Sequence, residues 1–274
     1  MSGSVDFTIV TPTLNQGRFI ERTILSVLTQ KEVSIQYIVV DGGSTDETHS
    51  ILDKFRDEIS TIVIERDNGQ APALKKGFAL AKGNITAYLN SDDYLLPGSL
   101  AEVKKLMDQD LTTDMIYGDR IFVDAEDRLT RYWKLPPHST YLMMRWDYIP
   151  QESAFWRRES METVGGIDDS YSFAMDFDLF SRMMSAGMKL KHCSRFFSVF
   201  REHEGSKTSS LIDEIGIPEM RRVRQNSKIR VRFWDTVFIG FYVAALQVLS
   251  QLQKRVYFEP KSFRERNESL VPER

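Results

Sequence analysis

Four short apolar runs, each ended by a polar turn and followed by a helical pattern, constrain this chain more than any other feature. They are Phe7-Thr8-Ile9-Val10, Tyr37-Ile38-Val39-Val40, Ile62-Val63-Ile64 and Ile85 to Leu89. Each has the length and continuity of a buried strand. Between the first two, Phe19, Ile20, Ile24, Val27 and Leu28 recur at helical spacing. Ile51, Leu52 and Phe55 mark a second helix, with Ser44 or Thr45 expected as its cap and Asp46 and Glu47 in its first turn. A third helix is expected over roughly 72–82, stopped at Gly83. Pro97 opens a fourth near its first turn, and Met115-Ile116-Tyr117 reads as a fifth strand.

Strands separated by helices over short connections imply right-handed crossovers and a mostly parallel sheet, an α/β fold. In such sheets the ligand lies outside the carboxyl ends of the strands. Those ends carry Thr11-Pro12-Thr13 (with Asn15 just beyond), Asp41-Gly42-Gly43, Asp67-Asn68-Gly69 and Asn90-Ser91-Asp92-Asp93. One rim of the sheet is therefore loaded with carboxylates. No G-x-G-x-x-G follows the first strand and no G-x-x-x-x-G-K-[ST] loop occurs, which excludes the plain dinucleotide and phosphate-loop readings.

After residue 120 the pattern is mixed. Pro136-Pro137 marks a loop, Ser153 to Trp156 a strand and Gly165-Gly166 a turn. A helix beginning near Asp176 carries Leu179, Phe180, Met183 and Met184.

The acids have alternative readings. Adjacent Asp92 and Asp93 repel unless a cation or hydrogen-bond donors compensate, and hard oxygens suit Mg²⁺ or Mn²⁺ bridging to a diphosphate. The same residues also suit a helix cap and a solvated turn. Asp41 can accept from a base or ribose, or simply connect strand to helix beside Ser44. Asp176 and Asp178 diverge by about 200° on a helix, so they cannot both face one cleft. His203 reads as a metal ligand or as a surface residue with acidic neighbours.

Net charge and cysteine content bound the remaining classes. The 274 residues carry a net charge of −3 and one thiol, Cys193. That length can bury a sizeable core, and one thiol forms no internal disulfide. Met1 to Asp6 shows no signal-peptide pattern, so the expected compartment is the reducing cytoplasm. The charge is unevenly spread: residues 1–218 sum to −9 and residues 219–274 to +6. The basic segment runs from Arg221 to Arg232 and leads into the apolar run Val237 to Leu249. Basic residues interleaved with stacking aromatics are lacking, which argues against nucleic acid. At 13 residues the run is shorter than the roughly 20 of a spanning helix. The expectation is an interfacial segment over 219–253 on anionic lipid, at the inner face of the membrane. Packing on the body or across a dimer is the alternative.

The order of the pieces resembles the family 2 glycosyltransferases. The segments carrying the resemblance are Thr8 to Asn15, Val39 to Asp46, Asp67-Asn68-Gly69 and Leu89 to Asp93 followed by Leu96-Pro97-Gly98. Gly165 to Asp168 and Met175 to Leu179 resemble the acceptor side of that family. The resemblance implies a GT-A fold over 1–218. A Rossmann-like nucleotide-sugar-binding half (1–119) would merge with an acceptor half (120–218), followed by a helical tail at 219–274. It implies an inverting enzyme using a divalent metal, Mn²⁺ or Mg²⁺. The donor would be a UDP-, dTDP- or GDP-sugar, and the acceptor a glycan or lipid-linked hydroxyl of surface polysaccharide synthesis. By position, Asp41 would contact the base, Asp92 the ribose and Asp93 the metal, with His203 near the metal or diphosphate. Asp176 would be the catalytic base. Thr11, Pro12, Asn15, Asp67 and Lys75 complete the expected donor set, Lys75 standing where many relatives carry Asn. The Q-x-x-R-W motif of processive synthases is missing, which points to single sugar addition. Two other classes compete: a sugar nucleotidylyltransferase and a non-catalytic nucleotide-sugar-binding scaffold. The first expects a Gly-rich basic loop after strand one, which Thr11 to Asn15 is not.

Overall fold

The computed structural model describes residues 4–205, 211–228, 234–235, 237–242 and 245. The chain runs β1 (Phe7–Thr13), α1 (Gly17–Leu28), β2 (Ile35–Asp41), α2 (Thr48–Lys54), β3 (Thr61–Ile64), α3 (Gln70–Ala79), β4 (Ile85–Tyr88), β5 (Tyr94–Leu95) and α4 (Ser99–Gln109). It continues with β6 (Met115–Val123), β7 (Leu129–Trp133), α5 (Thr140–Met143), β8 (Ala154–Arg157), α6 (Arg158–Thr163), α7 (Met175–Ser185), β9 (Leu190–Arg201) and α8 (Ile217–Asn226).

All nine strands form one sheet in the order β3-β2-β1-β4-β8-β6-β9-β5, with β7 on β6. The four N-terminal strands are mutually parallel. β8 then runs antiparallel between β4 and β6, and β6 and β9 resume the first direction. The mainly parallel α/β expectation is met, and the sheet is continuous from the N-terminal half into the C-terminal half.

Alternation along the strands makes two cores. Phe7, Ile9, Tyr37, Val39, Ile85 and Ala87 point to the side covered by α1, α2 and α4. Val10, Ile38, Val40 and Tyr88 point to the side covered by α3 and α7. This is the period-2 rule applied to strands buried on both faces. Each large apolar side chain so enclosed contributes about 1.5–3 kcal/mol relative to exposure. The helical spacing of Phe19, Ile20, Ile24 and Val27 is that of the buried stripe of α1.

Three local expectations need correction. α3 ends at Ala79, short of Gly83. Gly83 instead lets two backbones meet: a Cβ there would stand 2.3 Å from Phe7 C and Thr8 N. Ser44 and Thr45 do not cap α2. The Ser44 hydroxyl donates to Asp41, and Asp46 accepts from the Thr48 and Gly17 amides at 3.0 and 2.9 Å. Pro97 lies two residues before α4, which starts after Gly98 with φ of 76°.

Helix α8 lies against the body, with Val223 in the α3/α7 core. Arg222 and Arg224 turn inward, over the Tyr171 and Phe177 rings at 3.8 and 5.3 Å. Half of the apolar run Val237 to Leu249 lies outside the described residues. Among those described, no helix is long and apolar enough to cross a membrane.

Candidate active site

The parallel register aligns Thr13 with Asp41 and Asp41 with Ile64, so the loops after β1, β2 and β3 leave the sheet at one edge. A cavity of about 260 Å³ opens there, lined by Pro12, Thr13, Asp67, Gln70, Asn90, Asp92 and Phe200 among others. Its wall thus combines three expected donor-side positions (Pro12, Asp67 and Asp92) with β9, a strand from far along the chain.

The remaining expected residues do not line this cavity. Thr11 is fully buried and accepts from the Tyr37 hydroxyl at 3.1 Å. Asn15, at a φ of 52°, accepts the Thr45 amide on its side-chain oxygen at 2.8 Å. It thereby ties the loop after β1 to the loop after β2. Asp41 is also fully buried; it accepts from the Ser44 amide and hydroxyl and faces His49 Nε2. Lys75 reaches across to Asp169 at 3.0 Å, joining α3 to the loop before α7.

The two acids after β4 are held by the end of β9. The Arg201 amide donates to Asp93 Oδ1 at 3.0 Å, and its Nε donates to the Asp92 carbonyl at 3.0 Å. The guanidinium also pairs with Asp127 at 2.8 Å while remaining 2% exposed. His203 Nε2 stands 3.0 Å from Asp92 Oδ2, with its ring 4.8 Å from that of Phe19. Asn90 joins both sides of the site, accepting from Gln70 at 2.6 Å and reaching Gln151 at 3.3 Å.

Acids from the C-terminal half complete the arrangement. Asp176, Asp147, Glu152 and Asp93 all act on the buried Tyr88 hydroxyl and raise its pKa beyond what burial does. Arg120 stands among them, forked onto Glu152 at 2.7 and 2.8 Å, with its guanidinium 4.7 Å from the Phe200 ring. Burial pushes Asp93 well above the usual carboxylate range; Asp92 and Glu152 push the same way, against the Arg201 amide and Arg120. Asp147 is raised well above that range too, by burial and then by Asp176. Asp176 is raised to about 6 by burial, opposed by the amides at the start of α7 and by Arg120. Asp178 faces away from this group, bound to Arg182 at 2.7 Å. The helical divergence of the two α7 acids is thus realised.

Comparison with known proteins agrees with this geometry. The pattern described as "Glycosyl transferase family 2" matches residues 8–201. The chain belongs to that family. A PGL/p-HBAD biosynthesis glycosyltransferase of Mycobacterium bovis is 30% identical over 183 residues, covering 65% of this chain and 70% of the relative. The UDP-Glc:alpha-D-GlcNAc-diphosphoundecaprenol beta-1,3-glucosyltransferase WfaP of Escherichia coli is 25% identical, covering 86% and 92%. Among solved structures, S. aureus TarS 1-349 in complex with UDP-GlcNAc superposes with a TM-score of 0.68 at 15% identity, covering 98% of this chain and 76% of TarS. The mannosyltransferase PcManGT from Pyrobaculum calidifontis, in complex with GDP-Man and Mn²⁺, gives a TM-score of 0.58 at 15% identity, covering 92% and 85%. The fold is therefore GT-A, and the chain is a family 2 glycosyltransferase.

The family's divalent metal can be weighed against the donors present. Among the described residues no group of three or more His, Cys, Asp or Glu side chains is arranged to hold a metal. Asp93, with Asp92 and His203 beside it, offers a partial set of hard oxygens and one imidazole. Such a set suits Mg²⁺ or Mn²⁺, which fill the remaining positions with water and substrate phosphate. Buried Asp93 feels the negative charge of the half-buried Asp92 and of Glu152, a surplus that a cation would relieve. The residues fit the metal.

Sequence reasoning missed Arg120, Asp147, Gln151, Glu152 and Arg201. The one available signal was Arg201, two residues before His203 in an otherwise acidic stretch. Gln151 and Glu152 lie in a short 3-10 turn before β8, where no periodicity marks them.

Proposed function

We propose that this glycosyltransferase moves a single sugar, with inversion, from a nucleoside-diphosphate donor to an acceptor hydroxyl on a lipid-linked or surface glycan. The observation that carries the reading is the convergence of Asp93 and Asp176, from opposite halves of the chain, around Tyr88 and Arg120. In-line displacement needs a compensated leaving diphosphate on one side of the sugar and a base on the other.

The donor lies in the cavity at the sheet edge. Asp41, fixed by Ser44 and His49, provides the negative group at the base end, and Asp92 takes the ribose. Thr11 and Asn15 shape the loop above β1, while Pro12, Asp67 and Lys75 border the donor. Asp93 and His203 would hold the metal. When bound, the metal supplies the positive charge that stabilises the departing nucleoside diphosphate. Asp176 accepts the proton of the acceptor hydroxyl. A pKa near 6 leaves it largely ionised at neutral pH, yet basic enough to take a proton in the transition state. Arg120 keeps this base charged among its acidic neighbours.

A relative named for a diphosphoundecaprenol-linked substrate supports an acceptor presented at the inner face of the membrane. Trp234, Phe238 and Phe241 are 74%, 57% and 76% exposed and would provide the apolar part of a peripheral contact there. Because Arg222 and Arg224 are committed to the body, the basic contribution comes from the rest of 219–253.

Thermal shift against UDP, GDP, dTDP and CDP, each with Mn²⁺, Mg²⁺ or EDTA, tests the donor site. Saturation at a hundredfold excess over Kd stabilises by about 2.7 kcal/mol. A metal-dependent shift with one nucleotide is the expected result. No shift with any of them would overturn the donor reading.

A further inference from the structure

Helix α8 lies beyond the stretch matched by the family pattern, yet it holds the backbone that presents Asp176. The Glu219 carboxylate on α8 accepts from three consecutive amides, Ser172 at 2.8 Å, Phe173 at 2.8 Å and Ala174 at 2.9 Å. α7 begins at the next residue, and Asp176 is its second. Other contacts of α8 grip the same segment. Arg222 donates to the Ser170 carbonyl at 2.8 Å, and the Asn226 amide donates to the Tyr171 hydroxyl at 3.1 Å. At Gly216 a Cβ would stand 2.9 Å from the Phe173 ring, so this small residue lets the ring lie against the start of α8.

We infer that Glu219 is a positioning residue for the proposed base. It fixes residues 172–174 by three charge-assisted hydrogen bonds, and so sets where the first turn of α7 directs the Asp176 carboxylate. The inference rests on the base assignment above. Its physical content is that one carboxylate has lone pairs enough to serve all three amides, the Phe173 and Ala174 amides being part-buried. An ionised acceptor also makes shorter and stronger bonds than a neutral one. Position matters because a displacement of about 1 Å at a reacting group can cost ~10²-fold in rate. Glu219 touches neither donor nor acceptor in this scheme, so its removal should act on kcat and leave donor binding alone.

The test compares Glu219→Asp, Glu219→Gln and Asp176→Asn in the full chain, using the nucleotide sugar that the thermal-shift series selects. Shortening by one methylene withdraws the carboxylate from the amides while keeping its charge. Glu219→Asp should lower kcat by about tenfold or more with the donor KM within about twofold. It should also move the apparent pKa of Asp176, followed by carboxyl NMR without any substrate. Glu219→Gln keeps the length and one acceptor oxygen, and should recover part of the rate.

An Asp variant with wild-type kcat and an unmoved Asp176 titration would overturn the inference, as would a loss confined to KM. The base assignment is judged separately. If Asp176→Asn transfers sugar normally, that reading fails; if it is inactive while Glu219→Asp behaves as wild type, only the positioning role fails. Should Glu219→Asp not fold, Glu219→Gln decides: full activity with an unmoved titration overturns the inference.

Discussion

The backbone N–H of Arg201 donates to Asp93 Oδ1 at 3.0 Å, so the last residue of β9 fixes the acid that follows β4. The side chain of the same arginine binds the Asp92 carbonyl and Asp127. The expected metal ligand is thereby built into the sheet framework although it sits in a loop. Its orientation survives replacement of the Arg201 side chain, since the main chain supplies the bond.

This separation can be measured. Arg201→Met removes one of the two arginines on Asp127, leaving Arg22 at 2.7 Å, and takes the donor from the Asp92 carbonyl. Stability should fall by about 1–2 kcal/mol, and the Tm of a chain this size by roughly 2–8 °C. Metal-dependent nucleotide binding by the folded protein, read by calorimetry below the transition, should persist because the amide contact to Asp93 remains.

Asp93→Ala should remove the metal dependence itself. The Mn²⁺-induced increment in nucleotide affinity should vanish, and EDTA should no longer change the thermal shift. A variant that kept the increment would place the metal elsewhere.

Asp176→Asn should reduce transfer by ~10²–10⁴-fold, the usual contribution of a general base, with nucleotide affinity nearly unchanged. In the wild type the base works only when ionised. The rate should therefore rise with pH through an acid limb near 6 and flatten above it. Equal loss of nucleotide binding and transfer in the variant would refute the assignment.

The same raised pKa has a stability counterpart of definite sign. A carboxyl pushed from 3.8 to about 6 by folding holds its proton more tightly in the native state. Its ionisation thus penalises the fold, fully so above about 6, and the penalty fades as pH falls toward 3.8. Asp176→Asn should be more stable than wild type at pH 7.5, by a few degrees in Tm. That advantage should shrink between pH 6 and pH 4 in paired thermal melts.

Gly83→Ala tests the close approach of β1 to the turn before β4. The added methyl would meet main-chain atoms of Phe7 and Thr8, which cannot rotate away. A loss of about 1–3 kcal/mol is expected in denaturant melts, with the nucleotide-dependent shift retained.

The N-terminal half was legible because each of its strands is buried on both faces and reads as an apolar run. Its rim acids follow directly, since a parallel sheet sends every strand's carboxyl end to one edge. Asp92 and Asp67 could therefore be placed beside the same cavity before any coordinates. The opposing wall was not legible. Arg120 points into the site from β6, a strand expected only over Met115 to Tyr117, and no local pattern marks a residue whose partner is Glu152, 32 positions away. Gly83 shows the reverse error: a residue read as a helix stop is required by packing between segments 75 residues apart. Asp178 was separable from Asp176 by helical geometry alone, because that rule needs no tertiary information.

The unbroken nine-stranded sheet has a mechanical consequence. β8 stitches β4 to β6, so the two halves share one sheet; Asp93 is tied to it by the Arg201 amide, and Asp176 rides on α7, which packs against it. Opening the cleft by rigid-body rotation would require shearing that sheet. In the proposed reaction, substrate entry and nucleotide exit would fall to the overlying loops, such as the segment bridged by Lys75 and Asp169. Steady-state turnover should then respond to solvent viscosity and to the length of those loops, more than to the spacing of the two halves.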